Sequence, residues 1–295
     1  MTLKTVAIIG AGRVGCSMGF LLQRAGFTVA AVVARSRESA ASAAAFIGTG
    51  EPTTDVVRAA EKAGIILITT PDRAIRETCD KIAAAGIRPG SIVVHTSGAH
   101  SLDLLSSASS KGASRAVLHP LQSLASREQG IRTLPGSYFR VEADPAALVM
   151  VKEIVQALGG IELALPQWTP SKESAALYHA GAVVVSNYFV ALVDYGLKFY
   201  QALGADKKEA LKAVLPLIRG TLANIETLGI PDALTGPIMR GDIETVRGHL
   251  SVMENRTPQL MGLYKELARQ TVSVAREKGS ITENTAAELL KIVEK

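Results

Sequence analysis

The sequence is poor in the residues that staple or stack. Its 295 residues include two cysteines, Cys16 and Cys79, too few for a disulfide framework and, with His95 and His119, not spaced for a metal site. A reducing compartment is the simple reading, and both thiols read as small core residues. Aromatic residues make up 4%, which argues against a base-stacking nucleic-acid surface. Charge is not gathered either. The formal net charge is +5, yet Lys and Arg are dispersed among Asp and Glu, a mild bias towards small anionic molecules. No stretch offers about 18 uninterrupted apolar residues; the most apolar, residues 180–193, is broken by Ser186 and Asn187. No membrane span is expected. Met1-Thr2-Leu3-Lys4 runs at once into an apolar stretch without a leader pattern, so a cytoplasmic location is expected.

What is plentiful is small and apolar. The hydrophobic share is 47%, ample for packed cores, and the length exceeds the roughly 100–200 residues of one domain. Two domains are expected, residues 1–166 and 167–295. In the first, β-branched runs at 5–9, 28–34, 65–70, 91–95, 115–118, 138–141 and 161–165 alternate with alanine-rich helical stretches, the pattern of an α/β doubly wound sheet. After Pro166-Gln167-Trp168-Thr169-Pro170 the strands stop. The remainder reads as all-helical: Thr169-Pro170 and Thr257-Pro258 as starts, Asp206 with Glu209 as a capping box, and Gly204, Gly229 and Gly279 as stops. Residues 106–114, rich in Ser and small residues, read as a mobile or surface stretch.

Gly10-Ala11-Gly12-Arg13-Val14-Gly15 fits G-x-G-x-x-G. Alone the pattern is weak, but Val6–Ile9 before it reads as a buried strand and Val14 to Ala25, closed by Gly26, as a helix. In that context Gly10 permits the tight turn, Gly12 lets backbone reach a pyrophosphate, and Gly15 allows close helix–sheet packing, with the helix N-terminus facing the negative charge. The alternative is a glycine turn that joins strand to helix without a nucleotide. About 20 residues on, where an NAD site places Asp or Glu on the ribose 2′-hydroxyl, the chain has Arg35-Ser36-Arg37. Guanidinium groups grip a 2′-phosphate that a carboxylate would repel, and Ser36 can add a hydrogen bond. NADP is therefore the expected cofactor; the bland alternative is two solvated arginines at a strand end.

Ligands of open α/β sheets sit beyond the carboxyl ends of the strands. There the chain carries Thr69-Thr70-Pro71-Asp72, His95-Thr96-Ser97-Gly98-Ala99 and His119-Pro120-Leu121-Gln122-Ser123. Thr70 and Pro71 are expected beside the ribose and nicotinamide, with Ser97 and Gly98 close by. His95 reads as a structural strand-end histidine, whereas His119 and Gln122 read equally as structural or as substrate-binding. A helix expected over 171–203 is apolar nearly all round at its centre, 180–185, and so expected to be buried. Along it Lys172, His179 and Ser186 recur every seven residues, with Asn187 on the adjoining strip. An imidazole suits the proton delivery that hydride transfer to a carbonyl requires: His179 is the candidate proton donor, Asn187 the positioning group and Ser186 a substrate contact. A buried polar network that locks the helix is the alternative. In the loop Leu234 to Asp242, Arg240 reads either as a carboxylate clamp or as a surface charge beside the cap Asp242.

These strings, with Tyr178-His179-Ala180, Ser186-Asn187-Tyr188 and Thr235-Gly236-Pro237 through Arg240-Gly241-Asp242, resemble a bacterial two-domain family with a Rossmann-like domain and a C-terminal domain of unknown function, whose members are taken as NADP oxidoreductases. More distantly the chain is similar to the superfamily of 6-phosphogluconate and β-hydroxyacid dehydrogenases, ketopantoate reductases, pyrroline-5-carboxylate reductases and prephenate dehydrogenases. That resemblance implies a Rossmann-type sheet followed by a 6-phosphogluconate dehydrogenase-like helical domain, and a homodimer paired through the helices. The Lys and two Asn that ketopantoate reductases carry at four-residue intervals fall here on His179, Val183 and Asn187; the lysine and the middle asparagine are absent, and His179 stands as a substitute acid. His119-Pro120 is similar to the His-Pro turn of prephenate dehydrogenases. Three functions stay open: NADPH-dependent reduction of a small oxo acid such as ketopantoate, reduction of an imine of the pyrroline-5-carboxylate type, and an NADP-binding sensor without chemistry.

Overall fold

A computed structural model describes residues 4–294. The chain divides into two compact units, one ending at Asn187 and the other beginning at Tyr188.

The first unit alternates strand and helix: β1 (Thr5–Ile9), α1 (Arg13–Arg24), β2 (Thr28–Val33), α2 (Arg37–Ile47), β3 (Glu51–Thr53), α3 (Val56–Glu61), β4 (Ile65–Ile68), α4 (Asp72–Gly86), β5 (Ile92–His95), α5 (Ser106–Ser109), β6 (Ser114–Pro120), α6 (Arg127–Thr133), β7 (Tyr138–Ala143), α7 (Leu148–Ala157), β8 (Ile161–Glu162) and α8 (Lys172–Val185). The strands form one sheet in the order β3-β2-β1-β4-β5-β6-β7-β8. Every pair is parallel except β6 with β7. Successive side chains of a strand face opposite sides, and both sides are covered. Val6 and Ile8 pack with Met18 and Leu22 of α1 and Ile47 of α2, while Ala7 and Ile9 pack with Ile75 and Cys79 of α4. Hence β1 is apolar at every position from Val6 to Ile9. The strand order reverses between β1 and β4, and a doubly wound sheet opens its ligand crevice at such a point. The antiparallel pair sets His119 directly opposite Arg140.

The second unit is helical: α9 (Asn187–Gln201), α10 (Lys207–Leu228), α11 (Ile243–Arg256), α12 (Met261–Glu277) and α13 (Glu283–Glu294). Val246, Leu250, Val272, Ala275, Leu289 and Val293 form its core. Asp206 accepts the N–H groups of Lys208 and Glu209 at the start of α10, Asp242 accepts that of Thr245 at the start of α11, and Gly229 ends α10.

Several expectations are corrected. The edge strand β3 has no apolar alternation, being Glu51-Pro52-Thr53, and Pro52 is tolerated because one side of the strand is unpaired. The strand expected over 161–165 keeps only Ile161–Glu162. Residues 106–114 hold helix α5 with a fully buried Ala108, and open β6. Ser171, not Thr169, caps the next helix by accepting Ser174 N–H. The helix expected over 171–203 is interrupted at Ser186 (φ −120°, ψ −71°), where a β-branched run of three valines meets Ser-Asn, residues that prefer local hydrogen bonds to helical ones. Its centre is not buried: Val184 is 55% and Val185 75% exposed. Residues 172–201 together are long and apolar enough, by length and composition, to cross a membrane.

Candidate cofactor and catalytic site

Two glycines of the turn, Gly10 and Gly15, stand where a side chain has no room. Gly10 has φ +103°, and a Cβ there would stand 2.6 Å from the Thr70 nitrogen. At Gly15 a Cβ would meet Thr69 Oγ1 at 2.4 Å and the Gly10 carbonyl at 2.5 Å. Gly12 differs, because nothing lies within 4 Å of its Cβ position. It caps α1 without a side-chain acceptor, so the first-turn N–H groups are left for another partner. Gly10 and Ala11 donate to the Val33 carbonyl, each at 3.0 Å, which ties the turn to the end of β2. A cavity of about 660 Å³ adjoins it, lined by Gly12, Arg13, Ser39, Ser42 and Arg127 among others.

Beyond β2, Arg35, Ser36 and Arg37 are all exposed. Among the described residues the side chains of Arg35 and Arg37 make no hydrogen bond or ion pair, so both guanidinium groups are available. Ser36 is engaged: its Oγ accepts Ser39 N–H at 3.1 Å and donates to Ser39 Oγ at 2.9 Å. It serves as the N-cap of α2, a competing role for the hydroxyl read from sequence as a phosphate donor. Arg13 reaches the Leu124 carbonyl at 3.4 Å, and Val14 is half-buried in the first turn.

At the end of β4, Thr69 Oγ1 donates to the Gly10 carbonyl at 2.6 Å, while Thr70 Oγ1 is buried without a partner. A buried hydroxyl left unpaired costs on the order of 1–3 kcal/mol, and this one stands beside the turn. Open Gly12, the Cβ-free cradle at Gly10 and Gly15, and the unpaired Thr70 hydroxyl together fit a dinucleotide. Pro71 precedes α4, whose first residue Asp72 accepts Ser97 Oγ at 2.8 Å, clasping the ends of β4 and β5 together.

Past β5 and β6 the polar residues gather around Gly98. A Cβ on Gly98 would lie 2.6 Å from His179 Nδ1 and 2.7 Å from His119 Nε2; two imidazoles occupy the space a side chain would need. Their rings are nearly perpendicular with centroids 5.9 Å apart. His119 Nδ1 is 2.9 Å from the Tyr178 hydroxyl, and His179 Nδ1 is buried without a partner. Burial first, and the Arg140 guanidinium second, push His119 down to about 3, while burial pushes Tyr178 up to about 12. Both groups are neutral at physiological pH. His95 has a different part: its Nδ1 accepts Ser97 N–H at 3.1 Å, so Nε2–H donates to the Ser101 carbonyl at 3.0 Å. Burial brings it down to about 4.

Other residues singled out in the sequence stand apart from this cluster. Gln122 donates to Ser137 Oγ, just before β7, and accepts the Ser123 N–H of its own loop. Lys172 and Asn187 are exposed, and Ser186 marks the helix break. Arg240 is an exposed residue of the second unit. Sequence reasoning passed over Arg140, which is 1% exposed and lies under the cluster. Its signal was an arginine and a glutamate at alternate positions of Tyr138-Phe139-Arg140-Val141-Glu142, which share one face of a strand.

Residues 2–120 match the Rossmann-like domain family, and residues 137–271 match a domain of unknown function, DUF2520. The chain joins a Rossmann-like domain to a DUF2520 domain. Gly98 and His119 come from the Rossmann-like stretch, whereas Arg140, Tyr178 and His179 come from the DUF2520 stretch. No curated protein matches the sequence. Among solved structures, a Bacteroides fragilis protein provisionally named an NADP oxidoreductase is 23% identical with a TM-score of 0.71. Protein TM1727 of Thermotoga maritima is 24% identical with a TM-score of 0.68. Each match covers 92% of this chain and 99% of the other. A pyrroline-5-carboxylate reductase of Coxiella burnetii is 14% identical, with a TM-score of 0.56, over 100% of this chain and 97% of its own. At these identities the likeness shows a shared fold: a Rossmann-like unit with a parallel-dominated sheet, followed by a helical region.

Proposed function

We propose that the protein is an NADP-dependent oxidoreductase that reduces the carbonyl of a small oxo acid, a ketopantoate-like compound being the first to try. The observation that carries this reading is the convergence of His119 Nε2 and His179 Nδ1 on Gly98, at the carboxyl ends of the sheet that also bears the Cβ-free turn. Gly10, Gly12 and Gly15 with the first turn of α1 would hold the pyrophosphate, Arg35 and Arg37 the 2′-phosphate, and Thr70 the ribose near the nicotinamide. When bound, NADPH supplies a hydride. His179, its Nδ1 unpaired, gives the proton that the carbonyl oxygen takes up. His119, held by Tyr178, orients that oxygen as a neutral hydrogen-bond donor; Asn187, exposed and apart from the cluster, has no part in this reading. The names of the similar structures support an oxidoreductase that uses a nicotinamide cofactor.

Reduction of a cyclic imine is the second reading. It is favoured by the likeness to a pyrroline-5-carboxylate reductase and by a His119 kept neutral, since an imine that arrives protonated needs orientation more than an acid. NADPH oxidation followed across a panel of 2-oxo acids and cyclic imines separates the two. The main reading expects turnover with an oxo acid and at least a 100-fold lower kcat in His179→Ala, in line with the value of a positioned acid. Unchanged turnover in that variant contradicts it. We read the protein as soluble and cytoplasmic, with the exposed apolar side chains of α8 to α10 covered by a second copy of the chain.

A further inference from the structure

Arg140 is held in a manner that a surface arginine is not. Its Nη2 donates to the His100 carbonyl at 2.7 Å and to the Ser97 carbonyl at 3.2 Å, the two carbonyls that bracket Gly98. Nη1 faces Glu142 Oε2 at 3.4 Å. The guanidinium carbon lies 4.9 Å from the Trp168 ring centroid and 5.4 Å from that of Tyr178, and across the antiparallel ladder Arg140 is the register partner of His119. A buried charge is costly and is offset by hydrogen bonds and a counter-charge; here the partners of Nη1 and Nη2 are the floor and one wall of the histidine cluster, while Nε is buried without a partner. A leucine would fill a strand position without that cost, so the arginine points to a task beyond packing.

We propose that Arg140 is the positioning residue of this site: it fixes the Ser97–His100 turn beneath the two imidazoles and holds the Tyr178 ring so that its hydroxyl stays on His119 Nδ1. The role deepens the reductase reading and rests on it only for turnover. The groups that face His119 are Tyr178 and His179 from α8, Arg140 from β7 and His95 from β5, with Glu142 countering the arginine. Arg140 is a positive charge beside an imidazole, so it opposes protonation of His119 and favours the neutral ring with Nδ1 as acceptor. It touches no reacting atom in this account and acts through Tyr178, His119 and the turn.

The test reads the histidine directly by ¹⁵N-resolved NMR of the ring nitrogens, which requires no substrate. In the unmutated protein His119 should be neutral from pH 8 to pH 5, with Nδ1 as the unprotonated acceptor; a His119 that is charged or carries its proton on Nδ1 in that range overturns the proposal. In Arg140→Met the His119 midpoint should rise by about one pH unit and the Nδ1 acceptor signature should weaken, while Arg140→Lys should keep the midpoint and lose the signature. Because Arg140→Met leaves Glu142 unpaired, Arg140→Met with Glu142→Gln is measured beside it as a neutral replacement of the pair. A His119 whose midpoint and tautomer match the unmutated protein in the folded variants contradicts the proposal. If His119 responds as stated but no NADPH-dependent turnover is found, the reductase reading fails and the role of Arg140 stands; if turnover is found and His119 does not respond, the reverse holds.

Discussion

The glycines of the turn do separable jobs, and substitution tells them apart. A methyl at Gly15 must displace the Gly10 carbonyl and Thr69 Oγ1, so Gly15→Ala should lower the melting temperature as well as cofactor affinity. Gly12→Ala meets open space. It should leave thermal stability unchanged while weakening NADPH binding at least tenfold, because the methyl intrudes where the ligand's phosphates approach; calorimetry with a binding titration checks both. At the other end of the site, neutral buried histidines make stability depend on pH. His95 and His119 are brought from 6.5 to about 4 and about 3. Between 6.5 and those values the unfolded chain binds the proton first, so their contribution is full above about pH 6.5, is lost as pH falls through the window, and stops changing below it. Urea unfolding between pH 7 and pH 4 should show this decline, and His119→Gln should flatten the slope by up to about 1.4 kcal/mol per pH unit. An unaltered slope would count against the buried neutral His119.

Among the elements, α2 shows how one residue carries two readings. Ser36 is the N-cap of that helix. Ser36→Ala should therefore cost about 1 kcal/mol of stability and leave the proposed preference for NADPH over NADH largely intact, since the proposal rests it on Arg35 and Arg37; chemical unfolding and paired cofactor titrations distinguish the two effects. Strands β1, β2, β4 and β5 were legible because each is apolar on both faces, and the turn was legible because its spacing sits between a buried strand and a helix. Strand β3 was not, because Glu51-Pro52-Thr53 has no pattern and is a strand only by pairing with β2. The break at Ser186 was equally hidden, since neither Gly nor Pro marks it. Seven-residue spacing brought out His179, but its meeting with His119 over Gly98 depends on packing between segments 60 residues apart, which no local pattern encodes. Arg140 escaped notice because a buried arginine is uncommon and its partners are mostly backbone carbonyls and rings.

For the whole molecule, the apolar side chains left in water set the expectation. Val185 on α8, Val190 on α9 and Leu217 on α10 are each at least two-thirds exposed, more than a solitary chain ordinarily leaves on one run of helices. Sedimentation at micromolar concentration should give the mass of two chains, and Val190→Glu or Leu217→Glu should shift it towards one; a monomer in the unmutated protein would contradict the homodimer. The proposed hold of the Rossmann-like unit on NADP, for chemistry beside Gly98, is read by equilibrium titration of the purified protein with NADPH and NADH in parallel. NADPH should bind at least tenfold more tightly than NADH, with the difference abolished in Arg35→Ala/Arg37→Ala while NADH affinity is kept. Binding of neither nucleotide, or equal affinity for both that the double variant leaves untouched, would contradict it.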